Sequence, residues 1–295
     1  MKKIWAGAGV AAILSLIIIV GIVFVVKYWP PSESAEQRTR VSDELVASSR
    51  AFMDDDGWLL NPEQITAGAQ VTTVSRIDTA LLFANLLGER TREVFTDQTI
   101  ENLQTSFNEI ELPISVRLNA AAALVLAGEN PSQAQRDLAR QAMNEYGSKV
   151  TLDTLPDYLN DASAATIIEP GISLAKLISF DPGSNPVDQK IAASALVDVH
   201  LFANQEEVSG MFPRLQAEML TWIRGKAKSV DQFMYAAAAL PNSSVVQLTQ
   251  DDLKSISREK DSWKKCPGYP GFVLVSKTQD LGCSLNMTVI AQKAV

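Results

Sequence analysis

Two kinds of helical segment alternate along this chain, and the alternation constrains its fold more than any other feature. Between Ala80 and Leu87 every position except Asn85 is apolar, and Gly88 ends the segment. Pro113 to Ala127 finishes in an unbroken apolar run from Ala120, stopped by Gly128. A third run, Ala236-Ala237-Ala238-Ala239-Leu240, precedes Pro241. Helices that are apolar nearly all round belong in an interior. The segment opened by Asn130-Pro131, with Gln133 three residues after the Asn, is different. Ala134, Leu138, Ala142 and Tyr146 form one stripe, and Gln135, Arg136, Arg140 and Gln141 lie elsewhere. Such a helix covers a core with one face and meets water with the other. Buried helices wrapped by one-faced helices predict an all-α domain of α/α helical pairs, arranged as a toroid or a solenoid. No fixed period runs through the whole chain, so a regular repeat array does not follow.

Further segments fit the same class. Ser34 with Gln37 resembles a capping box opening a helix to about Met53. A helix starts near Val74 and runs into the first apolar stretch. Asn185-Pro186 opens a helix through Phe202, residues 211–224 form another, and Ser229 with Gln232 caps the one ending at Leu240. Thr249 with Asp252 opens a charged helix to about Lys264. Strand signals are few. Gly271-Phe272-Val273-Leu274-Val275 is the best, and it predicts a small β-like hairpin near the C-terminus. The prolines and glycines between Pro170 and Pro186 thin the helical pattern and mark a weak seam.

Ile4 to Val26 contains no charged residue and one polar side chain, Ser15. As a helix this run spans about 34 Å, enough for a bilayer core of about 30 Å. Trp5 flanks one end and Tyr28-Trp29 the other, where amphipathic rings favour the interface. The run is much longer than the apolar region of a cleaved signal peptide. Residues 1–29 therefore read as an uncleaved signal anchor, 30–35 as a Pro- and Ser-containing linker, and 36–295 as an extracytoplasmic helical region of one domain or two. Lys2 and Lys3 place the short N-terminal tail in the cytoplasm and the domain outside the cell membrane. Gly7 and Ala11, and Ala8 and Ala12, are small residues four apart, the spacing of a helix-dimer face. Oligomeric state stays open.

Charge narrows the partners. The chain holds 26 Lys and Arg against 34 Asp and Glu. Lys2, Lys3 and Lys27 belong to the first 27 residues, which hold no acid; the remainder then has 23 basic against 34 acidic residues, a net of -11. Such a domain is repelled by nucleic acid and by anionic lipid surfaces. Cys266 and Cys283 are the chain's 2 cysteines. In an exported domain an even pair reads as a disulfide, and the spacing is far from that of a zinc site.

Two stretches share a form. In the first, Gly57-Trp58 is followed by a loop and then Ser75-Arg76-Ile77-Asp78-Thr79. In the second, Gly271-Phe272 is followed by a loop and then Ser284-Leu285-Asn286-Met287-Thr288. Glycine permits the turn, the aromatic ring anchors it, and Ser or Thr caps the next helix. This form resembles the repeats of the terpenoid cyclase and protein prenyltransferase superfamily, an α/α toroid. The resemblance implies a ring of inner helices. It does not extend to that family's chemistry. The prenyltransferase branch needs Asp, Cys and His around zinc, and His200 is the only histidine here. The class II cyclase branch needs Asp-x-Asp-Asp, whereas Asp54-Asp55-Asp56 runs unbroken into Gly57.

Other candidate chemistry is weaker than its structural reading. Asp54, Asp55 and Asp56 lack the spacing of a calcium loop and read as a solvated acidic turn. Ser194 and Asp198 are too far out of helical register to form a base and nucleophile with His200. Trp58, Trp222 and Trp263 are the only tryptophans outside the membrane end that could stack a sugar in a carboxylate-dependent glycosidase cleft. No catalytic, cofactor-binding or metal-binding residue is therefore assigned. The expected function is binding of a protein partner or a small ligand by an anchored extracytoplasmic domain. The alternative is a diverged α/α-toroid enzyme, cyclase-like or a carboxylate-dependent hydrolase.

Overall fold

The computed structural model describes residues 41–295 apart from 68–70, 147–149, 152, 173–184, 203–211, 228–229, 244, 262, 264, 275–281 and 295. The expected anchor and linker, the small-residue face around Gly7 and Ala11, and the expected Ser34 and Ser229 caps lie outside these residues. Among the described residues no helix is long and apolar enough to cross a membrane. Val41–Val295 pack as one unit.

The unit is mostly helical. Its first half contains α1 (Asp43–Arg50), α2 (Pro62–Ala67), α3 (Thr73–Leu87), α4 (Asp97–Asn108), α5 (Ile114–Leu126), α6 (Gln133–Glu145) and α7 (Leu155–Ile168). Its second half contains α8 (Pro186–Phe202), α9 (Pro213–Thr221), α10 (Val230–Ala239), α11 (Gln250–Asp261), the two-residue strands β1 (Val273–Leu274) and β2 (Cys283–Ser284), and α12 (Leu285–Lys293).

The two sequence classes of helix occupy two positions in the packing. α3, α5 and α7 bury most of their length. Ala120 to Ala123 of α5 are all 0 % exposed, and their methyl side chains let neighbouring backbones approach closely. α4 and α6 bury one stripe each, Ile100, Leu103 and Phe107 on the first and Leu138, Ala139, Ala142 and Met143 on the second. α3 packs on α5, α5 on α7, α7 on α8, α8 on α10, α10 on α12, and α12 returns to α3. This circuit of contacts closes on itself. α4 packs against α5, and α6 against both α5 and α7. The polar exception in the first apolar run, Asn85, is satisfied within its own helix, donating to the Leu81 carbonyl at 2.9 Å.

Several boundaries differ from those expected. α1 starts at Asp43, where the Ser42 hydroxyl accepts from the Leu45 N–H. α6 is capped by Ser132 instead of Asn130, because Ser132 and Gln135 exchange backbone-to-side-chain bonds in a full capping box. Ser75 serves as the third residue of α3, reciprocating with the true cap, Thr72. α4 and α7 have no counterpart in the sequence reading. α4 is polar overall, and only Ile100, Leu103 and Phe107 mark its buried stripe. α7 hides because Asn160, Asp161, Ser163 and Thr166 interrupt its apolar run; Ser163 and Thr166 donate to backbone carbonyls of their own helix at 2.6 and 2.9 Å.

Both Gly-aromatic turns have the expected form. Gly57 has φ +79° and Gly271 φ +90°, conformations that favour glycine. Trp58 and Phe272 beside them are buried. Ser284 caps α12, accepting from Met287 N–H at 3.0 Å. Of the expected strand, Val273 and Leu274 form β1, which pairs antiparallel with β2 through Val273 with Ser284 and Leu274 with Cys283; Val275 lies outside the described residues. Phe272 and Tyr269 lie 5.1 and 4.6 Å from the Phe52 ring, and Ser48 donates to the Pro270 carbonyl at 2.8 Å. The C-terminal ribbon is thereby fixed to the start of the unit.

Candidate functional site

The N-terminal turns of α3, α5 and α7 meet the end of α6 around an open cavity of about 660 Å³. Val74 and Asp78 come from α3. Ile114, Ser115, Val116 and Asn119 come from α5, with Pro113 before it. Asp157, Asn160 and Asp161 come from α7, and Glu145 and Tyr146 from the end of α6. Among the described residues, no Lys, Arg or His lines it.

One hydrogen-bonded chain crosses this lining. Asn119 Nδ2 donates to Asp78 Oδ1 at 3.0 Å. Asn160 Nδ2 donates to Asn119 Oδ1 and to Asp161 Oδ1, both at 3.4 Å. The Tyr146 hydroxyl donates to Asp161 Oδ2 at 2.8 Å. Asn119 and Asp161 are buried, at 4 % and 5 % exposure. Asp157 and Glu145 stand exposed at the rim. The Tyr146 ring is held edge-on against fully buried Tyr158, with centroids 5.2 Å apart.

The electrostatics follow from burial, with no cation among the described lining residues. Burial pushes the Asp78 carboxyl above the usual carboxylate range, and the Asn119 bond partly offsets it. Asp161 is raised too, first by burial and then by the neighbouring charges of Asp157 and Glu145, while its bonds from Tyr146 and Asn160 pull the other way. Burial, and then its bond to Asp161, raise the Tyr146 hydroxyl well above its ordinary value. Three helix N-termini directed at the cavity favour the anionic form of these acids in turn. Two carboxyl groups tied to one network can hold a proton, accept donors from a ligand, or balance a cation.

The residues weighed from sequence go elsewhere. Asp54 Oδ1 accepts from the N–H groups of Asp56 and Trp58 at 3.0 and 2.8 Å, closing the Gly57 turn, and Asp55 and Asp56 are exposed. Trp58, Trp222 and Trp263 are buried at 8 %, 3 % and 7 % exposure, so none presents a face to a cleft. Ser194 is half-buried on α8; the side chains of Asp198 and His200 lie outside the described residues. Cys266 and Cys283 are joined as a disulfide with Cα atoms 5.4 Å apart.

The pocket residues were missed, although a signal for them exists. Asp78, Asn119 and Asn160 are each the sixth residue of their helix, and successive ones are 41 residues apart. Ile77, Leu118 and Leu159 precede them and are all 0 % exposed. A period of that length over three helices is a local repeat, lost when sought across the whole chain. Comparison of the chain with protein-family models, with curated proteins and with solved structures finds no match.

Proposed function

We propose that this chain is a membrane-anchored, extracytoplasmic α/α-toroid domain that binds a small polar ligand in the cavity at the N-terminal ends of α3, α5 and α7. The observation that carries the reading is the continuous chain Asp78–Asn119–Asn160–Asp161–Tyr146 along the wall of an open cavity. Asn119 and Asp161 are buried, and buried polar groups cost stability unless they are paired. The closed circuit of helix contacts supports the toroid arrangement and the resemblance to the cyclase-type repeats. The uncharged run from Ile4 to Val26, with lysines before it, supports the anchor and its orientation.

A second reading, a carboxylate-dependent hydrolase, is favoured by one observation. Asp78 and Asp161 face one cavity and both are raised, as a general acid requires. The two readings separate in one experiment. The purified full chain is screened for thermal stabilisation by a library of small polar compounds, and each hit is incubated and assayed for products. Stabilisation lost in Asp161→Asn, with the compound unchanged, fits a binding domain. Turnover lost in Asp78→Asn and Asp161→Asn makes it an enzyme. Hits indifferent to both substitutions would remove the pocket from consideration.

A further inference from the structure

We infer that the ligand of this pocket is an organic polycation of the alkylamine class, with ammonium groups joined by methylenes. The inference rests on the pocket being the binding site and names what fits it.

The hydrogen-bond inventory comes first. The side-chain donors of the network are largely spent inside it: the Tyr146 hydroxyl on Asp161, Asn160 Nδ2 on Asn119 and Asp161, and Asn119 Nδ2 on Asp78. What remains is the acceptor capacity of the acids, beside the Ser115 hydroxyl and the first-turn N–H groups of α5 and α7, which no side chain caps at the N-cap position. Asp78 Oδ2 takes no bond within the network, and each carboxylate oxygen can accept more than one donor. A ligand matched to this wall brings donors. Carboxylates and phosphates bring acceptors and negative charge, and among the described residues four acids and no cation line the cavity.

The lining also divides by element. Val74, Pro113, Ile114 and Val116 come from the starts of α3 and α5, while Glu145, Asp157 and Asp161 come from α6 and α7, with Asp78 and Asn119 adding polar groups to the α3–α5 part. Val74 is an exposed large apolar side chain, 39 % accessible at the cavity. Methylenes suit the apolar part and ammonium groups the acids, the snorkelling division found along a lysine side chain. A bare metal ion would leave the apolar part unused, and among the described residues no group of three or more His, Cys, Asp or Glu side chains could hold one. A carbohydrate would need exposed donors and an aromatic face; Tyr146 is the one aromatic residue of the lining, and its hydroxyl is occupied.

Isothermal titration of the full chain in non-ionic detergent tests this, with spermidine, maltotriose and citrate as probes. Spermidine is expected to bind at one site per chain, more weakly as salt rises. Asp161→Asn should weaken it about tenfold or more. Asp157→Asn should weaken it about threefold, and because Asp157 is exposed that variant keeps the fold if Asp161→Asn does not. Glu101→Gln, an exposed change on α4, should leave it unaltered. Equal spermidine affinity in all four proteins would mean attraction to the net negative surface and would overturn the inference. Maltotriose or citrate binding that depends on Asp161, with no response to spermidine, would overturn it while the pocket reading stands. If none of the three probes binds, the alkylamine assignment fails, and the compound screen alone decides whether the pocket binds anything.

Discussion

Asn119 donates to Asp78 across 3.0 Å from a position 41 residues further along the chain, so one amide joins the sixth residues of two neighbouring inner helices. Its own carbonyl oxygen takes the Asn160 amide from the third helix. Replacing Asn119 with Leu keeps similar volume but leaves half-buried Asp78 and Asn160 each short of a partner. The expected loss is about 1–3 kcal/mol, read from urea denaturation of the full chain. Asn119→Asp should be worse at pH 7, because it sets a second carboxylate beside half-buried Asp78, and should recover towards the Leu variant at pH 4. Equal stability of parent and Leu variant would mean the bond is incidental to the packing.

How much of this was legible depends on which residues carried the signal. Ala120 to Ala127 announce a buried helix because nothing polar interrupts them, and Leu138 with Ala142 announce an outer one by spacing alone. The reciprocal pair of Thr249 and Asp252 is present as expected, the Thr249 N–H donating to Asp252 Oδ2 at 2.9 Å. α7 was illegible for the reason that makes it interesting. Asn160 and Asp161 are unfavourable in an isolated helix and acceptable only because Asn119 and Tyr146 reach them from other elements. A pocket built from groups satisfied by tertiary partners leaves little local trace.

Asp161 gives a prediction with a sign. Burial raises its carboxyl in the folded state, so the folded chain binds that proton more tightly than the unfolded chain. Its contribution is most favourable below the ordinary carboxylate range and is lost as pH rises through the folded value. Asp161→Asn cannot titrate there. The melting temperature of the variant minus that of the parent should therefore become more positive from pH 4 to pH 7. Asp78 shifts in the same direction, so some dependence persists in the single variant. A difference that stays flat across this range would show that Asp161 titrates as it does in the unfolded chain.

The Cys266–Cys283 bridge closes a segment with a separation of 17 residues and ties the start of β2 to the turn before β1. On the chain-entropy account its removal by paired Cys→Ser substitution costs about 3 kcal/mol. Urea denaturation of the double variant measures this, and Phe272 adds a local check. Its ring sits against Phe52 and Phe83, so loosening of the ribbon should increase amide exchange at Val273 before it reaches α3. Unchanged exchange together with full loss of stability would place the effect in the unfolded chain.

Gly128 and Gly271 form a matched pair that separates backbone strain from steric conflict. Their φ values are +91° and +90°. A Cβ at Gly128 would meet nothing within 4 Å, whereas at Gly271 it would lie 2.9 Å from Leu45 Cβ and 3.1 Å from Leu45 Cα. Gly128→Ala should therefore cost only the left-handed conformation, about 1–2 kcal/mol. Gly271→Ala should cost that plus about 1–3 kcal/mol of overpacking against α1, since a backbone atom cannot move aside as a side-chain tip can. Leu45 is 0 % exposed and leaves no slack on its far side. Denaturation of the two variants side by side gives the difference directly. Equal losses would mean that α1 shifts to admit the methyl group, and that the contact between the start of the unit and its C-terminal ribbon is softer than its close packing implies.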